Sequence, residues 1–273
     1  MTLALHIAAR PGGAKTLAAC DLASPCRVLH SSYVAVTPPG WDGARALIPA
    51  VWLHGYEQDA AQVLGNTALV DVFNRANVLL IVPNGRDGYW AVPGVPNGGG
   101  TARDDVAFIS GVIDDAAKRF PLDRAHATVL GFSLGASMVY TLACAQPGLF
   151  RHHVAFAGSF WEPLPQACAP GGLDLLHIHG TDDQVMPLSG RPIGPTARQG
   201  NVSAGLAFWR KAKACGQPRA TPSPITAFSC QSSSYAGSGS GGGAVAAEST
   251  ITYCSHPGGH DADRAWVEWA LAR

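Results

Sequence analysis

The sequence predicts an α/β protein with one domain: a doubly wound, mostly parallel sheet that has helices on both faces. Two observations predict this class. Segments with the pattern of strands alternate with helix-like segments along nearly all of the 273 residues. The apolar run from Val78 to Val82 shows no polar alternation, as expected for a parallel strand that is buried on both faces. The length of the chain is normal for one such domain.

The first half of the chain begins with an antiparallel part and continues with the parallel pattern. Residues 28–36 and 47–53 are expected to be strands. The helix-like residues 67–76 precede the strand at 78–82, which makes a β-α-β unit. Between residues 104 and 120, apolar side chains recur every three or four positions and acids occupy the first turn, so this segment is expected to be a helix.

The second half continues the alternation and contains one segment of different composition. We expect strands at 127–130, 153–157, 173–179 and 250–254, and helices from Leu134, over 202–214 and over 262–271. Residues 221–247 are rich in Pro, Ser and Gly, so they are interpreted as a flexible excursion. Residues 1–19 are interpreted as a flexible segment or the remnant of a secretion signal, which leaves 20–273 as the domain.

The composition indicates which partners suit the protein. Charged residues make up 14% of the chain and apolar residues 47%, so a neutral surface is expected, which favours uncharged or polymeric substrates. Nineteen basic residues balance nineteen acidic ones, which argues against nucleic acid as a partner. No apolar stretch reaches the roughly 18 residues that span a bilayer, so no membrane partner is expected. We expect a monomer.

The cysteine content predicts an oxidising compartment, and thus a secreted or periplasmic protein. No C-x-x-C pair or Cys/His cluster has the spacing of metal ligands, so no metal site is expected. Three disulfides and one free thiol are expected. Proximity in sequence favours Cys20 with Cys26 and Cys144 with Cys168, and leaves the other pairings open. The cysteines are Cys20, Cys26, Cys144, Cys168, Cys215, Cys230 and Cys254.

The pentapeptide from Gly131 to Gly135 has the G-x-S-x-G pattern of a nucleophile elbow, in which a serine occupies a sharp strand-to-helix turn. Glycines two residues before and after the serine avoid collisions with the strand and the helix. The turn exposes the hydroxyl of Ser133 and places the N–H of Leu134 at a helix start, where it favours a developing oxyanion. The pattern therefore predicts acyl transfer by a nucleophilic serine.

An activated serine needs an imidazole and a carboxylate, in the chain order Ser, Asp, His. After the expected strand that ends at His179, a turn contains Asp182 and Asp183. We select Asp183 as the acid and keep Asp182 as the alternative. His260 follows two glycines just before the last helix, and we select it as the base. His177 and His179 are interpreted as core or surface histidines, not as metal ligands.

The remaining site residues follow from the loop after residues 47–53. Gly55 allows the backbone to approach the substrate, so the amide of Tyr56 is expected to be the second oxyanion donor beside that of Leu134. Trp90 and Trp161 follow expected strand ends, and we expect them either to line an apolar or aromatic substrate pocket or to pack in the core. No cofactor is expected.

Several motifs occur in an order that resembles the polyhydroxybutyrate depolymerase and feruloyl esterase family of α/β-hydrolases. The resemblance extends from about Cys20 to the end of the chain. It implies an extracellular or periplasmic serine esterase without a cofactor, with Ser133 as nucleophile, Asp183 as acid and His260 as base. The motifs are Leu53–Tyr56, Trp90, Asp104–Phe108, Gly131–Gly135, Leu142–Cys144, His177–Asp183 and Gly258–His260.

The hypothesis from the sequence is hydrolysis of carboxylic esters through an acyl-enzyme. The expected substrates are hydroxyalkanoate oligomers or polyesters of the polyhydroxybutyrate type, or aryl esters of the feruloyl type. One alternative is a non-catalytic module on the same fold that binds a polymer. The other is an acyltransferase or peptidase that uses the same three residues.

Overall fold

A computed structural model describes residues 20–96, 103–235 and 248–273. The predicted N-terminal segment 1–19 lies outside the described residues. The strands are β1 (Cys26–Val28), β2 (Ser31–Val36), β3 (Pro49–Leu53), β4 (Leu79–Pro83), β5 (Thr128–Phe132), β6 (His152–Phe156), β7 (Leu173–Gly180), β8 (Pro192–Ile193), β9 (Ala197–Arg198), β10 (Arg219–Thr221), β11 (Ser229–Tyr235) and β12 (Ser249–His256). The helices are α1 (Ala60–Gly65), α2 (Thr67–Ala76), α3 (Asp105–Arg119), α4 (Leu134–Ala145), α5 (Val202–Ala212) and α6 (Arg264–Leu271), with a short 3-10 turn at Arg124–His126.

The central sheet has the predicted architecture. Its ten strands follow the order β1-β2-β4-β3-β5-β6-β7-β12-β11-β10. The six strands from β4 to β12 in that order are parallel to one another, and antiparallel pairs extend the sheet at both edges. All five residues of β3 and all five of β4 are buried, because helices cover both faces of a parallel sheet. The prediction of a doubly wound, mostly parallel α/β sheet is confirmed.

The helices lie on both faces of this sheet, and the alternation of side chains along β3 shows why. Val51 and Leu53 face a core that α3 and α4 cover, whereas Ala50 and Trp52 face a core that α1, α2 and α6 cover. Helix α5 packs on the same side as α4. This arrangement brings the carboxyl ends of the parallel strands to one edge, where ligands bind in open α/β sheets.

Two predictions about the edges of the sheet need correction. The predicted strand 28–36 starts later, as β2 at Ser31, because Leu29 adopts a left-handed conformation (φ 48°) that reverses the chain between β2 and the preceding strand β1. The described part of the predicted excursion 221–247 contains β11, which pairs with β12 over seven residues. The serine-rich composition of β11 is not typical of a strand, so the sequence did not predict it. The disulfide between Cys230 and Cys254 joins β11 covalently to β12.

Three disulfides link described residues of the domain. The structure contains both expected pairs, Cys20–Cys26 and Cys144–Cys168, and the third pair joins Cys230 to Cys254. Cys215 is the free thiol. Among the helices that the structure describes, none combines the length and the apolar character needed to cross a bilayer.

Candidate active site

Ser133 lies at a sharp turn between β5 and α4. Its backbone has φ 57° and ψ −119°, a strained conformation for a residue with a side chain. A Cβ atom on Gly131 would collide with the backbone oxygen of Gly135, and one on Gly135 would collide with the backbone oxygen of Leu53. The two glycines therefore allow α4 to start against the strands, and the turn presents Ser133 at the carboxyl edge of the sheet.

Asp183 and His260 form a direct pair. Asp183 lies in the acid loop, residues 180–187, which follows β7, and His260 lies between β12 and α6. His260 Nδ1 lies 2.8 Å from Asp183 Oδ2, so the ring N–H donates to the carboxylate. Asp182, the alternative acid, is exposed, and its carboxylate accepts a hydrogen bond from Gln184 Nε2 at 3.0 Å. The geometry thus pairs Asp183 with the imidazole.

The acid loop keeps the Asp183 carboxylate ionised. Burial alone would raise the pKa of Asp183, but hydrogen bonds from His179, His260 and the N–H of Met186 outweigh it and hold this pKa well below its usual range. Asp183 Oδ1 accepts from the N–H groups of Val185 and Met186 at 2.8 and 2.7 Å. The carboxylate is therefore both charged and fixed in orientation.

The imidazole of His260 lies next to the elbow. Its ring centroid is 4.7 Å from that of Phe132, the residue before Ser133, and its side chain is 14% exposed. The Ser133 hydroxyl forms no hydrogen bond with any residue that the structure describes. Such bonds are often long in ligand-free sites and shorten when substrate binds. The pairing of His260 with Ser133 therefore belongs to the proposal below.

The oxyanion loop, residues 54–58, faces the elbow from the end of β3. His54 is fully buried; its Nδ1–H donates to Gly55 O at 2.8 Å, and its Nε2 accepts from the N–H of Gly85 at 2.9 Å. Desolvation lowers the pKa of His54, so the ring is neutral. Within the described residues, the amides of Tyr56 and Leu134 donate to no backbone carbonyl. Both amides thus keep an open donor beside Ser133.

Two of the predicted substrate-binding residues, Trp90 and Gly55, are not among the described residues that line the cavity at Ser133. Trp90 has no exposed surface; its indole N–H donates to His54 O at 2.8 Å, so it supports the oxyanion loop from below. Gly55 is buried, and its N–H donates to Gln58 Oε1 at 2.9 Å. Both residues position the oxyanion loop instead of contacting a ligand.

Trp161 lies where the sequence predicts it, on the wall of a cavity that opens at Ser133. The cavity has a volume of about 370 Å³, which falls within the usual range for small-ligand sites. Its walls are mostly apolar, and Tyr56 and Tyr89 stand at its rim with their hydroxyls 2.9 Å apart. The lining residues are Tyr56, Tyr89, Val95, Pro96, Ser133, Leu134, Trp161, Val185, Met186, Arg191, Ile193 and Gln199.

A buried hydrogen-bond network behind Asp183 has no counterpart in the sequence analysis. His179 Nε2 lies 2.7 Å from Met186 O, so it carries the proton, and it also lies 3.3 Å from Asp183 Oδ2. His179 Nδ1 must then accept from His177 Nε2–H at 2.9 Å, and His177 Nδ1 accepts from the Tyr140 hydroxyl at 2.6 Å. Desolvation lowers the pKa of His177 far below its usual value, so this ring is neutral.

The sequence offered one sign of this network. His177 and His179 alternate along β7 and thus point to the same face of the sheet. Their partner Tyr140 lies on α4, too distant in sequence to be foreseen. Within the described residues, no group of three or more His, Cys, Asp or Glu side chains is arranged to hold a metal ion.

Comparisons with known proteins identify relatives and structures with the same fold. Feruloyl esterase C of Emericella nidulans is 28% identical over 165 residues, which cover 58% of this chain and 57% of the relative. An acetyl xylan esterase from Aspergillus awamori superimposes with a TM-score of 0.59 at 14% identity, over 85% of this chain and 89% of that one. A carboxylesterase from Bacillus cereus gives a TM-score of 0.52 at 14% identity, over 89% and 92% of the two chains.

The chain has the α/β-hydrolase fold. The prediction of that fold and the resemblance to feruloyl esterases are confirmed, whereas the part of the resemblance that concerns polyhydroxybutyrate depolymerases stays a prediction. No protein-family model matches the chain. The chain spans a little over half the length of the first curated relatives that it matches. What it hydrolyses, and by which residues, is therefore a matter of proposal.

Proposed function

We propose that this α/β-hydrolase is a serine carboxylic-ester hydrolase that works through an acyl-enzyme. The observation that supports it most is the Asp183–His260 pair beside a serine in a strained elbow. The Nδ1–H of His260 is bound to Asp183, so Nε2 is free to accept the proton of the Ser133 hydroxyl. The ionised Asp183 stabilises the imidazolium that forms.

The reaction has two halves. Ser133 Oγ attacks the ester carbonyl while His260 takes its proton, and the amides of Tyr56 and Leu134 bind the oxyanion. His260 then returns that proton to the leaving alkoxide, which leaves an ester bond between the acyl group and Ser133. In the second half His260 deprotonates a water molecule, whose oxygen attacks this ester. The bond between the acyl carbon and Ser133 Oγ then breaks while His260 gives the proton to Oγ, which releases the carboxylic acid and restores the serine.

The substrates are hydroxyalkanoate oligomers or polyesters, or aryl esters of the feruloyl type. The apolar cavity with Trp161 and two tyrosines at its mouth suits both an alkyl chain and an aromatic ring. The near absence of charge in the lining favours neutral groups over most of the bound substrate. The protein acts as a monomer.

The compartment is oxidising. Three disulfides within the described residues are typical of a protein that folds outside the cytoplasm. We place the protein in the periplasm or the extracellular medium, where polymeric esters are accessible.

Replacing Ser133 tests this function. The purified protein and its Ser133→Ala variant are assayed with nitrophenyl butyrate, methyl ferulate, hydroxybutyrate oligomers and a polyester film. We expect kcat of the variant to fall by about 10⁴-fold or more on every ester that the parent hydrolyses. Ser137→Ala, one helical turn later on α4, is the control and should remain within about fivefold of the parent.

The outcomes separate the competing functions. Activity of Ser133→Ala within tenfold of the parent would end the proposal. A polymer-binding module would retain the film in a binding assay but hydrolyse none of the esters. Faster transfer to added amines or alcohols than to water would indicate an acyltransferase, and cleavage of peptides in preference to esters would indicate a peptidase.

A further inference from the structure

The wall of the cavity beside Ser133 includes a charged side chain. Of the described residues that line the cavity, only Arg191 carries a formal charge, and the others are apolar, aromatic or neutral. Arg191 is exposed at the mouth of the cavity, so water hydrates its charge when the site is empty. A cation on the wall of an otherwise apolar cavity attracts an anionic group of a bound ligand.

The guanidinium of Arg191 is held in place. Its Nε–H donates to Gln199 Oε1 at 3.1 Å, and Gln199 is only 5% exposed. The N–H of Gln199 in turn donates to Arg191 O at 2.9 Å. This contact uses Nε, so the two terminal nitrogens remain to form the paired hydrogen bonds that a carboxylate accepts.

Arg191 has no acidic partner in the protein. The chain has nineteen Asp and Glu residues, all within the described ranges, and none of them forms an ion pair with Arg191. Arg198, which lies seven residues later on β9, differs from Arg191 because its Nε is 3.3 Å from Glu162 Oε1. One of these two arginines is neutralised, and the one in the cavity is not.

The position of Arg191 relative to the catalytic acid is also fixed. Val185 and Met186 of the acid loop line the same cavity, and the chain reaches Arg191 five residues after Met186. Gly190 has φ 68°, and a Cβ atom there would collide with the backbone oxygen of Gln199. This close approach holds the segment that carries Arg191 against β9.

We propose that Arg191 binds a free carboxylate of the substrate, and that the preferred substrates are short esters of hydroxy acids with an unesterified carboxyl end. This inference rests on the proposed function and selects among its substrates. The apolar walls accommodate the alkyl part of such an oligomer, while Ser133 attacks the ester carbonyl. Methyl ferulate has no carboxylate and gains nothing from Arg191.

The test compares a hydroxybutyrate dimer with its methyl ester, in which a neutral group replaces the carboxylate at the end, and it follows cleavage of the internal ester in both. We measure kcat/KM for both substrates in the parent, Arg191→Gln, Arg191→Lys and Arg198→Gln. Arg191→Gln is expected to lower the ratio of the two values, acid over methyl ester, about tenfold, chiefly through KM. Arg191→Lys should recover part of the ratio, and Arg198→Gln should leave it within twofold.

A binding measurement separates this inference from the proposed function. Isothermal titration of the dimer acid into the Ser133→Ala variant needs no turnover, and adding Arg191→Gln should weaken binding about tenfold. Raising the ionic strength to about 0.5 M should weaken it as well. An unchanged ratio and unchanged binding in Arg191→Gln would overturn the carboxylate site, even if Ser133 proves essential. If binding depends on Arg191 but the parent protein hydrolyses no ester, the carboxylate site is supported and the proposed esterase function is refuted.

Discussion

The oxyanion loop and the acid loop both depend on a buried histidine at the end of a parallel strand. His54 follows β3 and His179 is the penultimate residue of β7, and neither has exposed surface. Both ring nitrogens of His54 bind backbone groups, those of Gly55 and Gly85. His179 binds one backbone oxygen, but it also contacts the Asp183 carboxylate and the ring of His177.

The difference shows two ways to fix a catalytic loop. The ring of His54 bonds only backbone groups, so the oxyanion loop is held by its own backbone, by the turn at Gly85 and by the indole of Trp90, which donates to His54 O. The acid loop depends on side chains from α4 and β7, through Tyr140 and His177. A substitution at Tyr140 therefore reaches the acid loop through this hydrogen-bond network, which does not include the oxyanion loop.

The largest effect on activity is expected from Asp183, whose carboxylate contacts both His260 and the buried hydrogen-bond network. Asp183→Asn should lower kcat by about 10⁴-fold, because an amide no longer selects the imidazole tautomer or stabilises its cation. Asp182→Asn is the matched control on the neighbouring exposed residue and should remain within about twofold. Ester hydrolysis measured for both variants decides the choice of acid, and an equal loss in both would refute the assignment of Asp183.

The pH dependence of stability should differ between the surroundings of His54 and those of His177. A buried histidine whose pKa in the folded protein lies below the unfolded value binds fewer protons when folded, so stability is lost as pH falls below about 6.5. Burial lowers the pKa of His54, and it lowers that of His177 much further. We therefore expect the free energy of unfolding to decrease on acidification.

The buried residue His153 on β6 shows how much unfolding free energy one such histidine can remove on acidification. Burial lowers its pKa to about 4. That shift corresponds to about 2 kcal/mol of stability lost between about pH 6.5 and pH 5. Urea unfolding at both pH values measures the loss of unfolding free energy. The loss should be smaller in His153→Phe than in the parent by the contribution of His153. His177→Phe should reduce the pH dependence more than His54→Phe, and full pH dependence in all three variants would contradict the account.

The smallest expected effect is a coupling energy, and it tests the connection between α4 and the acid loop. In a double-mutant cycle, Tyr140→Phe and His179→Phe should be non-additive in unfolding free energy by about 1 kcal/mol, since both belong to one hydrogen-bond network. Tyr140→Phe and His54→Phe should add within about 0.5 kcal/mol. Equal coupling in the two cycles would mean that the loops are not held differently.

Local patterns were sufficient to predict much of this site. Gly131 and Gly135 must be glycine because backbone oxygens occupy the space of a side chain, so the elbow is readable from five residues. The order of Ser133, Asp183 and His260 follows from the order of the strands that carry them. Burial separates Asp183 from Asp182, and a sequence does not show which of two adjacent carboxylates turns inward.

Contacts between distant segments could not be predicted in the same way. Trp90 follows a strand as expected, but its indole turns under the oxyanion loop because His54 O accepts its N–H. Tyr140 is 37 residues from His177, and the packing of α4 on the sheet brings them together. Strand β11 was missed because its stability comes from pairing with β12 and not from its own serine-rich sequence.

The central claim is that Ser133 is an activated nucleophile. Treatment with an organophosphonate, followed by mass spectrometry of the intact protein and its peptides, measures this most directly. The account predicts one adduct per chain, on Ser133, that forms far more slowly in His260→Ala, because only an activated serine attacks the phosphorus. An unlabelled Ser133 in the folded parent protein, or labelling at the same rate in His260→Ala, would contradict it.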